Sequence, residues 1–193
     1  FSMSGSVEGF RVEISRGRCL KDPTKVMIEA FHPGGFGDSV EMLALMLPPL
    51  KARYSRQYRC TTVISEGRLI GVYSDGRILF CAKDVDEARS ILEYVRSLLE
   101  EASRLVGEKG PPSLEDIEAY GRLSAFKLYE YLPKTNCGLC GYSTCVAFAT
   151  KVLRGEAKLK DCSPLNTYES MHLVVKLEKD FNPVILKSLG WLT

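Results

Sequence analysis

Long apolar runs are missing from this 193-residue chain, and so is any imbalance of charge. No stretch approaches the roughly 18 residues that a membrane-spanning helix needs, and the reading is of a cytoplasmic protein. Lysine and arginine total 26 against 24 aspartates and glutamates, a formal charge of +2. The two signs are evenly spread: residues 1–105 carry 15 basic and 14 acidic side chains, and residues 106–193 carry 11 and 10. That balance argues against a general nucleic-acid binder. Histidine is scarce, with only His32 and His172, and neither sits in an HExxH or triad-like setting. No Gly-x-Ser-x-Gly or GxGxxG falls in a strand–turn–helix context. His32-Pro-Gly-Gly-Phe-Gly-Asp38 is glycine-rich but lacks the order of a P-loop, and reads as a turn. With so few catalytic groups, the chain reads as a component rather than a stand-alone enzyme.

Cysteine is what the chain does have. Four of its seven cysteines, Cys137, Cys140, Cys145 and Cys162, fall in one stretch with spacing C-x2-C-x4-C-x16-C. Four converging thiolates serve a tetrahedral zinc or an iron–sulfur cluster. A structural zinc ribbon usually pairs two C-x2-C knuckles; only one is present. A disulfide framework fits less well, because the set is packed locally and no signal peptide opens the chain. Gly138 and Gly141 each follow a cysteine, where the backbone must curl and turn N–H groups toward sulfur. Ser143 or Thr144 is placed to cap a helix from about Cys145 to Arg154, with Gly155 as its stop. Cys145 then lies in the first turn, where the helix dipole favours a thiolate. Lys151, Arg154, Lys158 and Lys160 outnumber Glu156 nearby. They read either as charges that tune an anionic cofactor and steer an acidic redox partner, or as the solvated face of a helix and its return.

The run Leu132-Pro-x-Thr-Asn-Cys-Gly-x-Cys-Gly, followed by Cys145, Phe148-Ala149, Gly155-Glu156 and Cys162-x-Pro-Leu, resembles a small four-iron domain. That domain occurs in the large subunit of the corrinoid iron–sulfur protein, in the B subunit of Rnf-type electron-transport complexes, and fused to some bacterial sensor proteins. The resemblance covers about residues 129–168. It implies a [4Fe–4S] cluster held by Cys137, Cys140, Cys145 and Cys162. Ser163 stands where many relatives have proline, and no corrinoid-binding barrel or further ferredoxin-type cysteine set accompanies the segment.

The rest of the chain reads as α+β. Residues 1–9 are expected to be an expression remnant or flexible N-terminus, with Phe1-Ser2 ahead of Met3. Residues 10–105 form an α+β domain with strands at Phe10–Ser15, Lys25–Phe31, Arg59–Ser65, Leu69–Ser74 and Ile78–Ala82. Asp75-Gly76 and Glu66-Gly67 mark hairpins. Helices are expected at Val40–Met46, ended by Pro48-Pro49, and from Asp84 to about Leu105 with an apolar stripe. The sheet is largely antiparallel with helices on one face, by topological analogy a ferredoxin-like or TATA-binding-protein-like half-fold. Cys19, Cys60 and Cys81 fall in or near strands and read as buried free thiols. Residues 106–113 are a linker by composition. Residues 114–193 form a helical, cluster-binding domain: one helix from Ser113 to Pro133, the cysteine loop, a helix over Thr167–Leu177, and an apolar tail in which Trp191 packs as an anchor.

Three functions fit this reading. The first is an electron-transfer module docking to a larger redox enzyme, with no membrane span. The second is a redox- or iron-responsive binding module, or a zinc-stapled interaction domain. The third is an enzyme component whose cluster binds substrate, disfavoured because cysteine ligation of every iron leaves no open site.

Overall fold

The computed structural model describes residues 4–7 and 9–192. They fall into two compact units: the described residues up to Ala44 with Ala52–Ser113, and Leu45–Lys51 with Leu114 onward.

The first unit is built on an antiparallel sheet of strands β1 (Ser4–Val7), β2 (Phe10–Arg18), β3 (Val26–Phe31), β4 (Ala52–Ser55), β5 (Cys60–Ser65), β6 (Arg68–Tyr73) and β7 (Arg77–Ala82). Their order is β1-β2-β3-β7-β6-β5-β4. Helix α1 (Ser39–Met46) follows β3, after which the chain forms β4 at the far edge and meanders back until β7 pairs with β3. Period-2 side-chain alternation buries one face: Ile78, Phe80 and Ala82 of β7 are buried, as are Ile28 and Ala30 of β3. In register, Ile28 faces Phe80 and Ala30 faces Ile78. The apolar stripe of α2 (Val85–Lys109), which includes Ala88, Leu92, Val95 and Leu99, is buried as well. Asp84 caps that helix by accepting from the Glu87 N–H, and Gly110 at φ +82° ends it.

Several expectations shift. The helix continues through Lys109, so four residues of the expected linker are helical; Leu105 is buried and keeps the stripe in phase. Residues 4–7 of the expected N-terminal tail form β1, while residues 1–3 and 8 lie outside the described residues. The four residues of β4 are too few for alternation to show in sequence. Cys19 and Cys81 are joined as a disulfide with Cα atoms 6.0 Å apart, so only Cys60 of that trio is a buried free thiol. Their separation of 62 residues hides the pairing from any local pattern.

The second unit is helical: α3 (Leu114–Gly121), α4 (Ala125–Tyr129), α5 (Cys145–Leu153), α6 (Met171–Asp180) and α7 (Pro183–Ser188), with short 3₁₀ turns between α5 and α6. Tyr120, Leu128, Phe148, Leu159, Leu165 and Leu177 are fully buried in it. The single helix expected over 113–133 is two, because Ser124 starts afresh: its Oγ accepts from the Lys127 N–H at 3.2 Å. The apolar tail is partly helical. Leu186 and Leu189 are buried as expected, and Trp191 donates from Nε1 to Glu178 at 3.1 Å. Leu45–Lys51 closes against this unit: the Leu50 N–H donates to the Leu153 carbonyl at 3.1 Å, and the Tyr120 hydroxyl to that of Leu47 at 3.3 Å.

Candidate metal centre

The cysteine loop begins at Leu132-Pro133, shortly after α4 ends at Tyr129. From there the backbone repeatedly enters the left-handed region: Lys134 at φ +64°, Asn136 at +48°, Gly138 at +73° and Gly141 at +85°. Asparagine tolerates that region better than most side chains. Backbone wound this way presents N–H groups to an anion. The Gly141 N–H donates to the Gly138 carbonyl at 2.9 Å, closing a turn around Cys140.

Helix α5 supplies the next ligand candidate. Thr144 is its N-cap, its hydroxyl accepting from the Ala147 N–H at 3.1 Å. Cys145 is the first helical residue and is buried, at the positive end of the dipole. The Asn136 Oδ1 accepts from the Cys145 N–H at 2.9 Å, pinning the loop to the helix. In sequence, only the place of Asn136 directly before the first cysteine hints at this role.

Cys162 arrives on the return. Gly155, at φ +69°, ends the helical turn beside the Pro48 ring. Leu159 and Lys160 then donate to the Leu189 and Gly190 carbonyls at 2.9 and 3.2 Å. Asn166 holds the exit, its Nδ2 donating to the Lys160 and Cys162 carbonyls at 3.1 and 3.0 Å.

Burial pushes the Cys162 thiol up, the nearby Leu165 N–H, which donates to the Cys162 carbonyl at 3.0 Å, pulls it back, and the Cys140, Cys145 and Cys137 thiols push it up again. The Cys137 thiol lies below its ordinary value, chiefly because the Leu139 N–H donates to it, with the Thr135 hydroxyl helping. Among the described residues, no three His, Cys, Asp or Glu side chains form a group that could hold a metal ion. The site is graded from inside to outside: Cys145 and Cys162 are buried, Cys140 is half-buried, and Cys137 is exposed beside Leu139.

The basic residues stand further off. Lys151 lies six residues along α5 from Cys145, roughly 9 Å of helix rise, and pairs with Glu156. Arg154 caps the C-terminal end of the same helix. Lys134 places its ammonium 5.3 Å over the Tyr129 ring.

A family model described as "Putative Fe-S cluster" matches residues 132–164. The gamma subunit of the acetyl-CoA decarbonylase/synthase complex of Methanocaldococcus jannaschii is 54% identical over 46 residues, 24% of this chain and 9% of the relative. The same subunit of Methanopyrus kandleri is 53% identical over 45 residues, covering 23% and 10%. That of Methanothermobacter thermautotrophicus is 44% identical over 52 residues, covering 27% and 11%. The chain thus spans about a tenth of the length of these curated relatives. No solved structure matches the chain. Among the described residues, no helix is long and apolar enough to cross a membrane.

Proposed function

We propose that this chain holds one [4Fe–4S] cluster through Cys137, Cys140, Cys145 and Cys162 and serves as an electron-transfer component of a larger enzyme complex. The observation that carries the reading is the match of residues 132–164, which hold all four cysteines, to the iron–sulfur family. Inside that segment the Leu139 N–H stabilises the Cys137 sulfur, and the Leu165 N–H, donating to the Cys162 carbonyl, lies close enough to lower that thiol too. Such donors stabilise anionic sulfur, and four cysteines are the donor set such a cluster takes, so the residue types fit the group, with the sulfurs drawing together on binding since no three are grouped among the described residues. When bound, the cluster supplies one-electron chemistry at a potential set by hydrogen bonds and exposure.

The chain's own residues do the rest. Gly138 and Gly141 give the loop the curvature that brings Cys137 and Cys140 round, and Asn136 fixes that loop to the first N–H of α5. Phe148 and Leu165, both fully buried, exclude water behind Cys145 and Cys162. The exposed edge at Cys137 and Leu139 is the side from which a redox protein approaches. Lys151 and Arg154 act there at a distance, as charges that favour an acidic partner. The matched relatives are named as subunits of a complex, which supports a larger assembly as this chain's setting.

The test is iron and acid-labile sulfide on anaerobically purified protein, with EPR before and after dithionite. About four of each per chain and a signal appearing on reduction are expected. Stoichiometric zinc without sulfide, persisting after anaerobic iron reconstitution, overturns the reading.

A further inference from the structure

The first unit carries a cavity of about 620 Å³, within the size range of small-molecule sites, on residues that the cysteine site does not use. One wall is aromatic. The His32 and Phe36 rings stack with centroids 5.6 Å apart and planes 28° from parallel. Phe10 meets both edge-on, at 6.0 and 6.4 Å. Ser39, at the start of α1, and Leu99 and Ser103 of α2 complete the lining. His32 Nδ1 is shielded from solvent and has no hydrogen-bond partner, which is rare for a buried polar atom.

The strand–glycine-loop–helix order from β3 to α1 invites comparison with a phosphate cradle, which needs free backbone N–H groups at the helix start. Most of those groups are spent here. The Gly35 N–H donates to the His32 carbonyl, those of Phe36 and Gly37 both donate to Ser74, and those of Ser39 and Val40 close onto Phe36 and Gly37. A β-carbon at Gly76 would collide with the His32 carbonyl, so the loop is locked on that turn. At the mouth, Arg96 and Glu100 neutralise each other across 2.9 Å. What remains is a flat aromatic surface, a hydroxyl or two and an imidazole edge, without a net charge to offer.

We propose that this cavity binds a planar, uncharged heteroaromatic ring of nucleobase size, stacked against the His32–Phe36 wall. Phosphate groups on such a ligand gain little, because most of the loop's N–H groups already have partners. With two histidines, the 193-residue chain suits histidine-ring NMR, and His172→Gln assigns the two signals.

Adenine, hypoxanthine and lumichrome are titrated to millimolar levels, with adenosine monophosphate and inorganic phosphate alongside. At least one ring probe shifts the His32 signals and leaves His172 unmoved. Ser103→Trp, which fills the cavity from an exposed helix position, weakens that binding at least ten-fold; Phe36→Ala does likewise, with the fold checked by circular dichroism. Absence of a His32 shift with all three ring probes overturns the proposal. So does adenosine monophosphate binding ten-fold more tightly than adenine, or a His32 response to phosphate alone. None of these readouts depends on the cluster.

Discussion

At the scale of single residues, the four cysteines are separable from the other three. Replacing Cys137, Cys140, Cys145 or Cys162 with serine is expected to lower iron and sulfide content to well under half, read by metal analysis and visible absorbance. Cys60→Ser, buried in the sheet unit, leaves both unchanged. Gly138 adds a backbone test. At φ +73° an alanine there costs roughly 1–2 kcal/mol, so Gly138→Ala lowers both thermal stability and cofactor retention. The cysteine spacing and its glycines were plain in the sequence because ligands in one short segment have a local signature. Asn136 was not, because its partner is the N–H of a residue nine positions on, and nothing in a residue's identity declares which amide it will meet.

At the scale of elements, the start of α5 matters most. Thr144→Ala removes the hydroxyl that accepts from Ala147 and is expected to cost about 1 kcal/mol, seen as a lowered midpoint in chemical denaturation of the reconstituted protein. Two tyrosines link elements through carboxylates and set a limit in alkali. The Tyr131 hydroxyl donates to Asp180 at 2.8 Å and that of Tyr54 to Glu41 at 2.6 Å. Burial first, then the carboxylate, pushes each up to about 12 from an ordinary value of 10.0. The folded chain therefore keeps a proton that the unfolded chain releases. This contribution is whole below pH 10, fades between 10 and 12, and is gone above. Tyr131→Phe flattens the stability loss in that window, as circular dichroism across the pH range would show. Long elements were legible: the stripe of α2 and the hairpins at Glu66-Gly67 and Asp75-Gly76 stand where periodicity and turn residues place them. Short ones, β1, β4 and the break at Ser124, lacked enough residues for a period to emerge.

At the scale of the whole molecule, the Cys19–Cys81 disulfide closes a loop whose ends are 62 residues apart. In the chain-entropy picture, a cross-link of that span is worth about 4 kcal/mol. Alkylation of the denatured, unreduced protein is expected to leave Cys19 and Cys81 unlabelled, and reduction to lower the denaturation midpoint of the sheet unit. Neither that bridge nor the allegiance of Leu45–Lys51 could be read in sequence, since both depend on partners far along the chain. The seven residues 45–51 belong with the helical unit although sheet-unit residues flank them on both sides. A protease nick within Gly110–Ser113 would therefore yield two pieces that stay together, since the N-terminal one carries Leu47, Pro48 and Leu50, which Tyr120, Gly155 and Leu153 still hold. The same arrangement makes the protein a natural split pair: a fragment beginning at Leu114, made alone, lacks one of its own pieces and regains it only from the other half.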